Sequence, residues 1–229
     1  MRGSSAFSLL PDRFAVSVTP TPTPILHAVC DIFVSLQGEG TWTGRPTAFV
    51  RFWGCPLHCP WCDEPRHRDP GSRRLLTTGA IIAALRAFGE GSARVLLTGG
   101  EPLAREGLGS LVSELNCAGF DVAMETSGVG GAVPPGVAWV TLSPKWPPPP
   151  EAVHRRADEI KFVVPADPSE AVLGEIARWS REHPNVWVQP QARGDEPDPA
   201  STRRAVALVM ESRGRLRLSL QTHKWIGLP

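Results

Sequence analysis

Three thiols in one short run, with no fourth nearby, are the first chemistry legible in the chain: Cys55-Pro-Leu-His-Cys59-Pro-Trp-Cys62, a C-x3-C-x2-C spacing. Thiolates on a single loop suit an iron–sulfur cluster, and a cubane held by three cysteines leaves one iron open to bind another group directly. Structural zinc takes four ligands, commonly from two C-x2-C knuckles. His58 lies between two of the cysteines, poorly placed for the same ion, and the chain has no second C-x2-C. A disulfide framework fares no better, because five cysteines is an odd number and a chain of 229 residues builds a core without staples. The run therefore reads as the ligand loop of a four-iron cluster held by Cys55, Cys59 and Cys62.

Three later segments carry further chemistry. Val95-Leu-Leu-Thr-Gly-Gly-Glu-Pro102 is an apolar run ending in Gly-Gly. Glycine there lets a backbone approach a ligand and present its own polar groups, and Glu101 adds a carboxylate for a cationic amine. Glu125-Thr-Ser-Gly128 and Ser143-Pro-Lys145 each follow an apolar run. Hydroxyls and an ammonium at successive strand ends can meet a ribose and a carboxylate. Alone, the Gly-Gly-Glu segment reads better as a tight strand-to-helix turn, and the other two read equally well as turns. Their order behind the cysteine loop is what gives them weight.

The elements that must position these groups alternate. Strand patterns cover residues 30–36, 48–53, 94–97, 121–124, 137–142, 159–164, 186–188 and 215–220. Helical periodicity covers 77–88, with Ile81, Ile82, Leu85 and Phe88 on one face and Thr78 as its cap. It returns over 103–117 (Leu108, Leu111, Val112, Leu115), 169–181 (Val172, Ile176, Trp179) and 199–210 (Ala205, Leu208, Val209). Strands alternating with helices imply an α/β fold with a mostly parallel sheet and right-handed crossovers. Ligands in such sheets sit at the carboxyl ends of the strands, and every chemical segment above follows a strand. Residues 1–25 are rich in Pro, Ser and Thr and read as a flexible extension, leaving 26–229 as the domain.

Composition removes other classes. Hydrophobic content is 41%, enough for a substantial core, and the net charge of +1 makes no electrostatic case for nucleic-acid binding. No apolar run approaches the ~20 residues of a membrane span, and the opening residues are too weakly apolar for a signal peptide. Cluster thiols must stay reduced, so a cytoplasmic location is expected. Cys30 and Cys117 read as core thiols, and His58 and His67 as packing or solvated groups. The pairs Arg73-Arg74 and Arg155-Arg156 read as solvated faces. Trp53, Trp139, Trp187 and Trp225 read as packing groups on strands.

The cysteine run resembles the cluster loop of the radical S-adenosylmethionine enzymes, and Gly-Gly-Glu resembles the motif that holds the amino group of S-adenosylmethionine there. A narrower resemblance comes from both ends of the chain. Asp31-Ile-Phe-Val-Ser-Leu-Gln-Gly-Glu-Gly40, Thr43-Gly-Arg-Pro-Thr-Ala-Phe-Val-Arg51 and Leu218-Ser-Leu-Gln-Thr-His-Lys-Trp-Ile-Gly-Leu-Pro229 look like the entry and tail of the 7-carboxy-7-deazaguanine synthases. With Gln189-Pro190 and the motifs above, the resemblance covers residues 31–229. It implies an open, incomplete (β/α) barrel and a lyase of 7-deazapurine (queuosine-type) biosynthesis. The reaction would begin with reductive cleavage of S-adenosylmethionine to a 5′-deoxyadenosyl radical. That radical would abstract hydrogen from 6-carboxy-5,6,7,8-tetrahydropterin, whose ring contracts with loss of ammonia. It further implies a [4Fe-4S] cluster, S-adenosyl-L-methionine and Mg2+ as cofactors, a reductant protein such as flavodoxin, and a homodimer. A glycyl-radical-enzyme activase, with a broad exposed groove for a protein partner, and a non-enzymatic metal-binding interaction module are the alternatives.

Carried over position by position, the resemblance places Leu36, Gln37, Gly38, Glu39, Arg51, Thr98, His223 and Pro229 on the pterin. A guanidinium fork such as that of Arg51 suits the substrate carboxylate, and a terminal carboxylate suits a guanine-like N–H edge. Trp61, Asp63, Gly100, Glu101, Ser127, Ser143, Pro144, Lys145 and Gln189 fall on the cofactor. The family has a threonine or serine after Cys-Asp, whose hydroxyl ligates Mg2+; here the run is Cys62-Asp63-Glu64-Pro65. In one reading Glu64 supplies a carboxylate oxygen to the metal instead; in the other it points away and leaves the site without the metal.

Overall fold

Apolar runs of four to seven residues separated by amphipathic stretches form a single open sheet with helices on its outer side. The computed structural model describes residues 24–89, 94–194 and 196–229. The expected extension over 1–25 lies, up to residue 23, outside the described residues. The strands and helices in chain order are β1 (Leu26–Leu36), β2 (Pro46–Phe52), β3 (Arg74–Thr77), α1 (Thr78–Ala87), β4 (Arg94–Gly99), α2 (Leu108–Cys117), β5 (Asp121–Thr126), β6 (Trp139–Leu142), α3 (Glu151–Arg156), β7 (Glu159–Val164), α4 (Glu170–Glu182), β8 (Val186–Pro190), β9 (Ala192–Arg193), β10 (Glu196–Pro197), α5 (Pro199–Glu211), β11 (Leu216–Leu218) and α6 (Thr222–Trp225).

Nine of the strands form one sheet in the order β11-β8-β7-β6-β5-β4-β2-β1-β3. From β2 to β11 neighbouring strands are parallel, while β1 pairs antiparallel with both β2 and β3. β11 and β3 sit at opposite ends of this order, so the sheet curls without closing: an open, incomplete barrel. No helix among the described residues is long and apolar enough to cross a membrane.

Successive side chains on a strand point to opposite faces. Val50, Val95, Leu97, Val122, Met124, Val140, Leu142 and Ile160 face outward and are fully buried, packed with Ile81, Leu111, Leu115, Ile176 and Trp179 of the helices. Each such side chain contributes about 1.5–3 kcal/mol relative to exposure. The opposite face carries a smaller cluster of Phe49, Leu96 and Ala123. There Phe33 and Phe49 stack with ring centroids 4.9 Å apart. Strands buried on both faces are what a parallel sheet requires.

Several expectations need correcting. Thr77, not Thr78, caps α1: its side chain accepts from the Ala80 N–H at 3.2 Å, while Thr78 is buried with Oγ1 3.1 Å from His27 Nε2. Phe88 lies beyond α1 and is exposed. The helix expected over 103–117 is broken, because Gly107 takes the left-handed conformation (φ 69°) and α2 starts only at Leu108. Cys117 is exposed rather than in the core, and Trp225 lies exposed on α6 rather than on a strand. Arg73, Arg74, Arg155 and Arg156 are exposed, as the solvated-face reading expects.

Candidate active site

The carboxyl ends of the parallel strands open onto one pocket of about 350 Å³. Every residue expected at the site lines it except Pro144, which is buried outside the wall between Ser143 and Lys145. The lining is therefore drawn from the loops after β1, β2, β4, β5, β6 and β8 together with the tail.

The cysteine loop leaves β2 through Gly54, whose N–H donates to the His67 carbonyl at 2.9 Å. Cys55, Cys59 and Cys62 are free thiols, all on the pocket wall. Burial raises the Cys55 and Cys62 thiols above their ordinary value. No three thiol, imidazole or carboxylate groups among the described residues converge on one ion. A cubane takes each thiolate on a different iron, so three thiols spread around one loop fit it. His67 is buried, hydrogen-bonded to the Glu64 carbonyl, with Nδ1 3.9 Å from Cys62 Sγ. It backs the loop.

The Gly-Gly-Glu turn has a structural cause as well as a chemical one. Gly99 has φ +102°, and a Cβ on Gly100 would overlap the Gly54 carbonyl. The turn and the entry of the cysteine loop pack backbone to backbone, with the Glu101 N–H donating to Gly54 O at 3.1 Å. Glu101 is 1% exposed. Its carboxylate accepts from the Leu103 N–H at 3.0 Å, from the Ser127 N–H at 2.8 Å, and from the hydroxyls of Thr126 and Ser127. Its oxygens are engaged by these four donors and clamp β4 to β5.

Also lining the pocket, a buried cation is held between two acids. Lys161, 2% exposed on β7, pairs with both Glu39 and Glu125. Burial acts to raise Glu39, but the Lys161 ammonium overrides it and holds the carboxyl at about 2. Glu125 moves the other way, raised by burial despite the same partner. Lys161 is itself raised, burial being outweighed by the two carboxylates. Lys145 donates to Ser143 O at 2.9 Å and Ser143 Oγ at 2.7 Å, and burial, then Lys161, lower its pKa.

Arg51 lies opposite Asp31 in the β1–β2 register, its guanidinium 4.9 Å over the Phe33 ring. Its Nη1 is 2.6 Å from Glu64 Oε2. Glu64 also caps the turn that follows, accepting from the Arg66 N–H at 3.2 Å, and takes Arg66 Nε at 2.9 Å and Nη2 at 3.0 Å. Burial opposes ionisation of Glu64, but the Arg66 hydrogen bonds and the Arg51 charge bring its pKa below the ordinary value. The side chain expected to ligate a metal is thus the bridge between two arginines.

The tail closes the pocket against the Gln-Gly-Glu-Gly loop. Thr222 donates from both N–H (3.0 Å) and Oγ1 (3.1 Å) to the Gly38 carbonyl. Ser219 Oγ donates to Gln189 Oε1 at 2.7 Å and accepts from the Gly40 N–H at 3.1 Å. Gln221 Nε2 reaches Glu39 at 2.8 Å and Asp63 at 2.6 Å. Lys161 and Gln221 were missed in the sequence. A lone lysine inside the apolar strand Glu-Ile-Lys-Phe-Val-Val was the available signal for the first. Nothing local marked the second.

A model of the radical SAM superfamily matches residues 51–134. The chain is 31% identical over 211 residues to a 7-carboxy-7-deazaguanine synthase of Synechocystis, covering 89% of this chain and 94% of that one. It is 34% identical over 220 residues to the synthase of Caulobacter vibrioides, covering 89% and 99%. The solved structure of QueE from Escherichia coli superposes with a TM-score of 0.70 at 26% identity, covering 86% of this chain and 94% of that one. An unclosed parallel sheet with a three-thiol loop after its first parallel strand defines a radical S-adenosylmethionine enzyme. Likeness extends well beyond the cysteine loop, over most of both chains. Within that superfamily the chain belongs to the 7-carboxy-7-deazaguanine synthase family.

Proposed function

We propose that the chain acts as a lyase converting 6-carboxy-5,6,7,8-tetrahydropterin to 7-carboxy-7-deazaguanine with loss of ammonia. One observation carries this reading: a single pocket is lined by the three thiols and by Arg51, Thr98 and His223 together. A pocket of about 350 Å³ lined by charged groups suits a small polar molecule better than a polypeptide, which disfavours an activase of a protein substrate.

When bound, the reduced [4Fe-4S] cluster and S-adenosylmethionine supply the 5′-deoxyadenosyl radical that removes hydrogen from the substrate. Cys55, Cys59 and Cys62 would hold the cluster. Gly100, Trp61, Asp63, Ser127, Ser143 and Gln189 line the cofactor side. Lys145, bonded to neutral serine oxygens, offers its charge to the cofactor carboxylate. On the substrate side the Gln37–Gly38 backbone and Leu36 line the bicyclic ring, and Arg51 takes the carboxylate. Burial lowers the His223 pKa, so the ring is neutral at pH 7 and can both donate and accept. The Glu39–Lys161–Glu125 group fixes the pocket floor and offers polar partners to the pterin amines. The reading carries with it a reductant protein of flavodoxin type, a homodimer and a reducing compartment.

The test is anaerobic turnover of reconstituted protein with the carboxytetrahydropterin, S-adenosylmethionine and a reductant. The expected product has lost ammonia by mass. S-adenosylmethionine cleavage that leaves the pterin unchanged would overturn the substrate assignment.

A further inference from the structure

The residues around Glu64 do not fit a divalent metal. A carboxylate offers about four lone-pair sites. On Glu64, Oε1 faces Arg66 N and Nε, and Oε2 faces Arg66 Nη2 and Arg51 Nη1, all within 3.2 Å. Mg2+ demands oxygen ligands at about 2.0–2.1 Å in near-octahedral array. To bind here it would have to displace a bidentate guanidinium and then sit beside two arginine charges.

The other acids of the pocket are also engaged. Glu39 and Glu125 pair with Lys161, Glu101 has its four donors, and Asp63 accepts from Gln221. Beyond Glu64 the charges continue to alternate. Arg66 Nη1 lies 3.5 Å from Asp31, and Arg74 Nη2 lies 3.7 Å from the same carboxylate. The row Arg51, Glu64, Arg66, Asp31, Arg74 has three positive and two negative members, so it is net positive, and its pocket end is Arg51.

We propose that this chain binds the substrate carboxylate on Arg51 without a divalent metal, the Arg66-locked Glu64 holding that guanidinium toward the pocket. This rests on the pterin reading above. Of the row, Arg51 and Glu64 are the sheltered members, with side chains 18% and 15% exposed, whereas Arg66 is half exposed. Glu64 is therefore a positioning residue for Arg51. Arg66 keeps the carboxylate ionised and directed.

The test uses cluster-loaded protein with S-adenosylmethionine in metal-free buffer. Affinity for the carboxylated pterin is measured with and without added Mg2+, and Mn2+ binding is followed separately by EPR. Wild type should bind pterin equally within about twofold under both conditions and show no stoichiometric Mn2+. Glu64→Thr, which frees Arg51 and supplies a hydroxyl, should weaken metal-free pterin binding about tenfold or more, with iron content unchanged. Stoichiometric Mn2+ in wild type that is lost in Glu64→Gln, or pterin binding that requires Mg2+, overturns the proposal. Absence of pterin binding under both conditions would sink the substrate reading and with it the carboxylate assignment. The Mn2+ measurement still decides the metal question independently.

Discussion

The imidazole of His223 occupies the space where residue 38 would carry a side chain. A Cβ built on Gly38 would come 2.7 Å from His223 Cγ and 2.9 Å from its backbone nitrogen. Two hydrogen bonds from Thr222 to the Gly38 carbonyl hold the tail in that position. Residues 185 positions apart are thus packed backbone against ring, and only glycine allows it. The tail's place over the pocket depends on this contact.

Gly38→Ala should push His223 off the loop. Overpacking of this kind costs about 1–3 kcal/mol, and here it falls on tail docking rather than on the sheet. Affinity for the pterin should drop about tenfold, while iron content and the thermal midpoint stay near wild type. An alanine variant with unchanged pterin affinity would show that the tail does not touch the substrate.

Tail docking should also weaken in acid. Burial lowers the folded-state pKa of His223 below 6.5, opposed by Glu39 and Asp63 and assisted by Lys224 and Lys161. A histidine lowered on folding takes up its proton more readily once undocked. Its contribution is therefore present above pH 6.5 and is lost as pH falls from there through the lower folded value. Amide protection factors at Thr222, which divide out the intrinsic pH dependence of exchange, should fall between pH 7.5 and pH 5.5. In His223→Gln they should stay level, and a parallel fall in that variant would assign the effect to another group.

Eight of the nine sheet strands were legible as short apolar runs, and β7 was read with its true limits, whereas the edge strand β3 was not read at all. Their ends were less legible. β1 begins at Leu26, because β3 pairs with its first residues and extends it where an exposed Leu26 beside a buried His27 hides the alternation from the sequence. Helix α2 starts late because a left-handed Gly107 interrupts a periodic pattern that looks continuous. At the site the motifs named the wall, since all but Pro144 line the pocket. What they could not name were partners. That Glu101 clamps Thr126 and Ser127, or that Lys161 sits between Glu39 and Glu125, depends on strand neighbours brought together over tens of residues. A linear motif carries no record of that proximity.

Lys161 is the buried charge on which the pocket floor rests. Removing one member of a buried ion pair leaves the rest uncompensated and typically costs about 3–5 kcal/mol. Lys161→Met should therefore lower the urea midpoint strongly, with one of the two acids taking up a proton at neutral pH. Adding Glu39→Gln and Glu125→Gln should recover much of the loss, because the uncompensated charge is gone. If Lys161→Met unfolds at the wild-type midpoint, the ammonium is not buried between those carboxylates.

The thiols separate cluster ligands from bystanders. Cys55, Cys59 and Cys62 share the pocket wall. Cys30 is buried against the Phe52 carbonyl at 3.6 Å, and Cys117 is exposed at the end of α2. Neither bystander lines the pocket, so neither can replace a missing ligand. Cys59→Ala should lose the four-iron cluster and S-adenosylmethionine cleavage together. Its fold should persist, since the core lies on the outer face of the sheet and does not include the loop. Cys30→Ala and Cys117→Ala should keep full iron content. Cys30→Ala should cost about 1 kcal/mol for the small cavity it leaves. Iron and sulfide assays after anaerobic reconstitution, read beside far-ultraviolet circular dichroism, check both halves. Wild-type iron in Cys59→Ala would mean that the cluster is held by a different set of ligands.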